Sequence, residues 1–177
     1  MSTETVAAAM GAGIYAKPLE DACVRFGIES TLEKAHFLAQ VAHESDGFRT
    51  AEEYASGKAY DTGSKAKALG NTPEADGDGQ RHKGMGLIQV TGVTNQRAYS
   101  RWKYGDDRVL NNPRMLTLLP DAVDSAAWYW CIYRPSIRAL ARADDLEGVT
   151  RKINGGLTGL DDRRRRLQQA KRLFGLP

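Results

Sequence analysis

Cysteine is nearly absent from this sequence. Its two cysteines, Cys23 and Cys131, stand in no Cys-x-x-Cys or other metal-like spacing, which excludes a disulfide scaffold and a zinc module. Each is flanked by core-like residues and reads as a buried free thiol, with one long-range disulfide as the alternative. No apolar run approaches the roughly 18 residues that cross a membrane. The first residues, Met1-Ser2-Thr3-Glu4-Thr5, lack the basic start and apolar core of a secretory signal. The expectation is accumulation in the cytoplasm, with any action outside depending on release by another protein. The three histidines, His36, His43 and His82, have no ligand spacing. Gly84-x-Gly86 lacks the third glycine of a dinucleotide fingerprint. Asp76-Gly77-Asp78-Gly79 fails as an EF-hand, because the twelfth position holds Leu87, and reads as turn chemistry. No P-loop, nucleophile elbow, repeat or low-complexity linker occurs, and no metal or cofactor is expected.

What remains is ordinary globular material. The chain has 177 residues, 41% hydrophobic and 27% charged, which fits one domain over residues 1–177. The net charge of +3 is unevenly spread, with 11 Lys and Arg against 5 Asp and Glu from Arg134 onward. A basic C-terminal region on a mildly acidic body points to an anionic partner. Nucleic acid, an anionic wall polymer and a membrane surface are candidates, against a plainly solvated helix face.

The periodicity is helical throughout. A helix is expected from Thr5 to about Phe26, broken near Gly11, Gly13 and Pro18. Ser30-Thr31-Leu32-Glu33 reads as a capping box opening a helix that ends near Gly47. Tyr54 to Lys83 reads as loop, long enough to carry function, and Gly84 to Gly92 as a short extended segment. Helices follow over Asn95–Tyr104, Ala122–Ile132, Ser136–Ala143, Leu146–Ile153 and Asp162–Phe174. Asp144-Asp145-Leu146-Glu147 is a second capping box.

Four groups of residues have the chemistry of a site. Glu44 stands at the C-terminal end of the clearest helix, where the dipole and apolar neighbours both disfavour negative charge. A carboxyl so placed suits a general acid; the plain alternative is a surface glutamate. Glu52 and Glu53 follow, Glu53 nine residues after Glu44, and two carboxylates can divide acid and base roles in glycoside hydrolysis. Gln89, Thr91 and Asn95 follow a Gly-Met-Gly turn that lets backbone approach a ligand, although Thr91 and Asn95 equally suit a helix cap. Asn154-Gly155-Gly156 precedes Arg163; that asparagine suits a substrate amide or a helix end.

At these residues the sequence resembles glycoside hydrolase family 19, the chitinase-like hydrolases that also include many bacteriophage endolysins. The resemblance runs in family order from about Ala35 to the end. It rests on Ala35 through Ser45, Leu69-Gly70-Asn71-Thr72, Asp76 through Gly79, Lys83 through Gly92, Asn95, Ser125 through Trp130, Thr150 through Leu157, and Asp162-Arg163. It implies a mainly α, lysozyme-like, two-lobed fold around a central cleft, with the loop-rich region 57–112 forming much of one side. It also implies inverting hydrolysis of a β-1,4 amino-sugar polymer. By position Glu44 is the general acid and Glu53 the base, with Glu52 as the alternative. Thr91 helps hold the water. His43, Gln89, Asn95, Asn154 and Arg163 bind substrate, and Arg163 stands near the second carboxylate, keeping it ionised. There are departures. Met85 replaces an arginine and removes a cation. Gln96 replaces a tyrosine and a packing contact. Tyr54-Ala55-Ser56-Gly57 differs after the second carboxylate.

The resulting expectation is a monomeric endolysin that cuts between N-acetylmuramic acid and N-acetylglucosamine of peptidoglycan and lyses the host. It is held in the host cytoplasm until a membrane-pore protein releases it to the wall. The basic C-terminal region meets an anionic envelope, and no nucleic acid is bound. The alternatives are a chitinase and, from another class, a non-catalytic glycan-binding protein on the same fold.

Overall fold

The computed structural model describes residues 1–177 and is mainly α, as expected. It has no sheet, only isolated bridges pairing Glu52 with Met85 and Met85 with Val90. The chain divides into two compact units, Met1–Arg49 with Ala126–Pro177, and Thr50–Ser125. No helix is long and apolar enough to cross a membrane, and no cluster of three His, Cys, Asp or Glu has a metal-holding arrangement.

In the first unit the expected N-terminal helix is two, α1 (Thr3–Ala9) and α2 (Ala16–Arg25), with a 3-10 turn over Gly13–Tyr15 between them. Pro18 lies in the first turn of α2, where a missing N–H costs nothing. α3 (Thr31–Glu44) is capped by Ser30, whose hydroxyl accepts from Glu33 N–H. The reciprocal half of the expected box is absent. Glu33 turns inward, fully buried, and accepts from Trp130 Nε1 (3.1 Å) and Arg138 Nε (2.7 Å). A buried carboxylate takes a full cation in preference to a backbone amide.

α3 is the axis of this unit. Ala35, Phe37, Leu38, Ala39, Val41 and Ala42 are all buried, as are Leu19 and Cys23 of α2. Phe37 meets Trp130 edge-on, centroids 5.3 Å apart. Against α3 packs α11 (Leu160–Phe174). Both cysteines are buried and unbridged; burial pushes the Cys23 thiol up to about 12 and the Cys131 thiol to about 11. α9 (Ser136–Arg142) and α10 (Leu146–Asn154) complete the unit. The cap of α10 is Asp145, which accepts from Gly148 N–H (2.8 Å); Asp144 turns away to His36 and Lys171.

In the second unit the expected long loop holds short helices: a 3-10 turn at Lys58–Tyr60, α4 (Gly63–Leu69) and α5 (Asp78–Arg81). The Lys-Ala-Lys-Ala-Leu stretch of α4 consists of good helix formers, and Gly70 in the left-handed region ends it. α6 (Gly92–Tyr104) and α7 (Arg108–Asn111) follow, then α8 (Asp121–Trp128). One π turn, Tyr129–Tyr133, already in the first unit, stands where α8 is expected to run on to Ile132; the second unit ends within α8, at Ser125. The core of this unit gathers Leu87, Ile88, Val90, Tyr99, Val109 and Leu116. Buried Asp121 accepts from Tyr99 (2.7 Å), Tyr104 (2.8 Å) and Lys103 (2.6 Å).

Candidate active site

The expected residues fall into two clusters, one in each unit. In the first unit Glu44 is the last residue of α3, its side chain 16% exposed. Its Oε1 accepts from Nη2 of Arg163 at 2.6 Å. Arg163, on α11, is 1% exposed. Its Nη1 donates to Gln40 Oε1 and its Nε to the Thr158 carbonyl. Gln40 continues to Thr150 (3.5 Å). Each of the three guanidinium nitrogens thus has a partner within its own unit. The resemblance sets Arg163 beside the second carboxylate and on substrate; the structure buries it and pairs it with Glu44. A buried arginine needs a carboxylate within reach, and Glu44 is the one that α3 presents to α11.

His43, one residue before Glu44, donates from Nδ1 to Asp162 (2.7 Å), which also holds Arg166 (2.6 Å) and Arg165 (2.9 Å). Partial burial works against the Asp162 charge, yet hydrogen bonds from Arg166 and His43 hold its carboxyl below its ordinary value. Gly159 lies flat on the His43 ring; a Cβ there would be 2.3 Å from Cε1. Asn154 ends α10 in an exposed position, followed by Gly155 in the left-handed region.

The second cluster surrounds Gly84. Glu53 Oε1 accepts from the Tyr60 hydroxyl (2.9 Å) and Oε2 from Gly84 N–H (3.1 Å). Glu53 N–H donates back to the Gly84 carbonyl (2.9 Å). A Cβ on Gly84 would be 2.5 Å from Gln89 Oε1 and 3.1 Å from the Thr91 hydroxyl. Glu53, Gln89 and Thr91 therefore converge on one glycine, whose lack of a side chain leaves the space. Gln89 Nε2 donates to the Gly86 carbonyl (3.1 Å), while its Oε1 is buried without a partner. Asn95 donates to the Thr91 carbonyl (2.8 Å), and the Thr91 hydroxyl donates to the Gln89 carbonyl.

Glu52 has different surroundings from Glu53. Its carboxylate meets Lys83 Nζ at 3.0 Å and Arg114 Nη1 at 3.4 Å. The Lys83 hydrogen bond leads the causes that hold its carboxyl below the usual glutamate value. Burial, with the Glu53 carboxylate second, pushes the Tyr60 hydroxyl up to about 12, so it stays a donor.

No model of a known protein family matches the chain. A Haemophilus influenzae protein described as a glycosyl hydrolase family 19 domain-containing protein does. It is 34% identical over 163 residues, covering 77% of this chain and 78% of its own.

The chain belongs to glycosyl hydrolase family 19.

It is a glycoside hydrolase of the chitinase-like kind, and solved structures agree on the fold. Chitinase C from Streptomyces griseus superposes with a TM-score of 0.68 at 21% identity, over 90% of this chain and 69% of that one. A bacterial family 19 chitinase gives 0.68 at 21% identity, over 91% and 86%.

The departures of this family 19 chain have structural compensation. Met85 is 3% exposed and bridges Glu52 and Val90, while Lys83 and Arg114 bring positive charge to the same segment. Gln96 is fully buried; its amide donates to the carbonyls of His82, Lys83 and Val90, and its Oε1 accepts from His82 Nδ1 (2.7 Å). It ties down the 82–90 segment by hydrogen bonds. Tyr60, Lys83, Gln40 and Asp162 are site neighbours that the sequence reading passed over. Gln40, Lys83 and Asp162 stand inside the segments that carry the resemblance, whereas Tyr60 has no such signal.

Proposed function

We propose that this family 19 hydrolase is a peptidoglycan-degrading endolysin. It cleaves the β-1,4 bond between N-acetylmuramic acid and N-acetylglucosamine with inversion, and it lyses the host. The observation that carries the reading is the convergence of Glu53, Gln89 and Thr91 on Gly84, with Glu44 presented at the end of α3. Glu44 engages a buried cation through one oxygen, which leaves Oε2 for the leaving-group oxygen. As in the family pattern, Glu44 is the general acid that gives up a proton there, the role that Glu44→Gln tests. Glu53 faces only neutral donors, Tyr60 and Gly84 N–H, beside the Thr91 hydroxyl and the partnerless Gln89 Oε1. As general base it takes a proton from water, with Thr91 orienting that water. His43, Gln89, Asn95 and Asn154 bind the sugar, and Arg163 acts through Glu44. Glu52, engaged by Lys83 and Arg114, is set aside as the base.

Peptidoglycan is favoured over chitin by the basic face of α11. A depression of about 440 Å³ there is lined by Arg165, Arg166, Gln168, Gln169 and Arg172, with Asp162, and suits an anionic envelope polymer. With that reading we propose residence in the host cytoplasm until a separate pore opens, action as a monomer, and no nucleic-acid partner. A chitin substrate is the second reading, because both superposed structures are chitinases.

The test compares wild type and Glu44→Gln on purified peptidoglycan and on soluble N-acetylglucosamine oligomers. Reducing sugar released from peptidoglycan and lost in the variant supports the reading. Cleavage of the oligomers alone moves the substrate to chitin. Activity that survives Glu44→Gln overturns the acid assignment. No activity on either substrate revives the glycan-binding reading.

A further inference from the structure

The glycine-rich segment between Gly57 and Gly79 has one feature that the proposed chemistry leaves unused: it is knotted around Tyr60. The Tyr60 carbonyl accepts from Asn71 Nδ2 (2.9 Å), and Asn71 Oδ1 in turn accepts from Val93 N–H (3.1 Å) at the start of α6. The next residue, Asp61, is buried and accepts from Gly77 N–H (2.9 Å) and Gly79 N–H (3.0 Å) through one oxygen. Gly79 is pressed against that backbone: a Cβ would be 2.3 Å from Asp61 N and 2.5 Å from the Tyr60 carbonyl carbon. Gly57, in the left-handed region, sits under Gly79, with 2.4 Å between a built Cβ and the Gly79 carbonyl. The Asp-Gly-Asp-Gly run is therefore a clamp, and the side chain that it fixes reaches Glu53.

We infer that Tyr60 is a positioning residue for the hydrolytic base: its hydroxyl, held in place by the Gly57–Gly79 clamp, fixes the rotamer of Glu53. The inference rests on the reading of Glu53 as base. The hydroxyl holds Glu53 Oε1 at 2.9 Å, which fixes where the other carboxylate oxygen stands. Gly84 N–H supplies the second donor, and Lys83, on the Glu53 carbonyl (3.1 Å), is the nearest cation recorded on that residue.

The test is Tyr60→Phe, which keeps the ring and removes one oxygen, beside Glu53→Gln and the double variant. All are assayed on the substrate that the wild type cleaves, with thermal melts as the check on folding. In Tyr60→Phe, kcat is expected to fall by about tenfold or more, the loss of one hydrogen bond to a charged group. KM stays unchanged. The double variant is no slower than Glu53→Gln. Gly79→Ala reproduces the kcat loss and adds nothing in the Tyr60→Phe background. Wild-type turnover in Glu53→Gln overturns the base reading itself. An inactive Glu53→Gln beside a Tyr60→Phe with unchanged kcat overturns only the positioning role. A Tyr60→Phe loss confined to KM makes Tyr60 a substrate contact and also overturns it.

Discussion

Glu52 and Glu53 are neighbours in the chain with opposite surroundings. Lys83 and Arg114 neutralise Glu52 at the surface, whereas Glu53 meets a phenol and a backbone amide. Glu52→Gln is therefore expected to keep most of the turnover, and Glu53→Gln to lose nearly all of it, in the same reducing-sugar assay. The reverse result would exchange the two roles. The Glu52 ion pair is partly solvated, so its loss should cost about 1 kcal/mol or less. Because the folded carboxyl sits below its ordinary value, that stability is present above the ordinary value. It is lost as pH falls through the lowered one. Urea midpoints of wild type and Glu52→Gln should differ near neutral pH and converge in acid. The pair itself was visible in the sequence. Which member was free was not, because the deciding cation, Lys83, is thirty-one residues from Glu52.

At the scale of elements, α3 is anchored by polar residues that helical periodicity does not reveal. Glu33 at its start holds Trp130 and Arg138, with Arg142 at 3.6 Å. Removing one partner of such a buried pair leaves an uncompensated charge, so Glu33→Ala should cost about 3 kcal/mol in urea denaturation. Removing the exposed Glu29 should cost under about 0.5 kcal/mol. In mid-helix, His36 is fully buried and donates from Nε2 to Asp144 (2.8 Å), which pairs with Lys171 (2.6 Å) on α11. Its Nδ1 is buried without a partner. Protonation would strand an N–H there, and burial holds the imidazole below its ordinary value of 6.5. The unfolded chain then binds the proton first, so stability falls as pH drops below about 6.5, down through the lowered value. His36→Gln keeps the bond to Asp144 and should flatten that slope; an unchanged slope would exclude His36 as its source. The sequence showed α3 itself, through the Ser30 cap and its apolar spacing. Its long-range partners, Asp144 for His36 and Arg163 for Glu44, lie more than a hundred residues away. Local pattern carries no trace of such pairings.

At the scale of the whole molecule, the charge asymmetry is smaller in space than in the sequence. The basic excess after Arg134 looked like a free patch. Much of it is paired: Arg163 with Glu44, Arg164 with Asp161, Arg165 and Arg166 with Asp162, Lys171 with Asp144. What α11 offers a polyanion is Arg172 together with Arg165 and Arg164, whose side chains stay 75% and 45% exposed although each is paired with an aspartate. Attraction from so few charges is modest and readily screened. Raising salt from roughly 0.01 to roughly 0.15 M shortens the Debye length from about 30 to about 8 Å. Over that range, turnover of insoluble peptidoglycan should fall by several-fold, while turnover of a short neutral N-acetylglucosamine oligomer stays level. The triple substitution Arg164→Gln, Arg165→Gln, Arg172→Gln should remove the salt dependence on peptidoglycan and leave kcat on the oligomer as it was. If wild type and triple variant respond to salt alike on peptidoglycan, α11 is only a solvated face. Recognition of the polymer then rests on the sugar-binding residues alone.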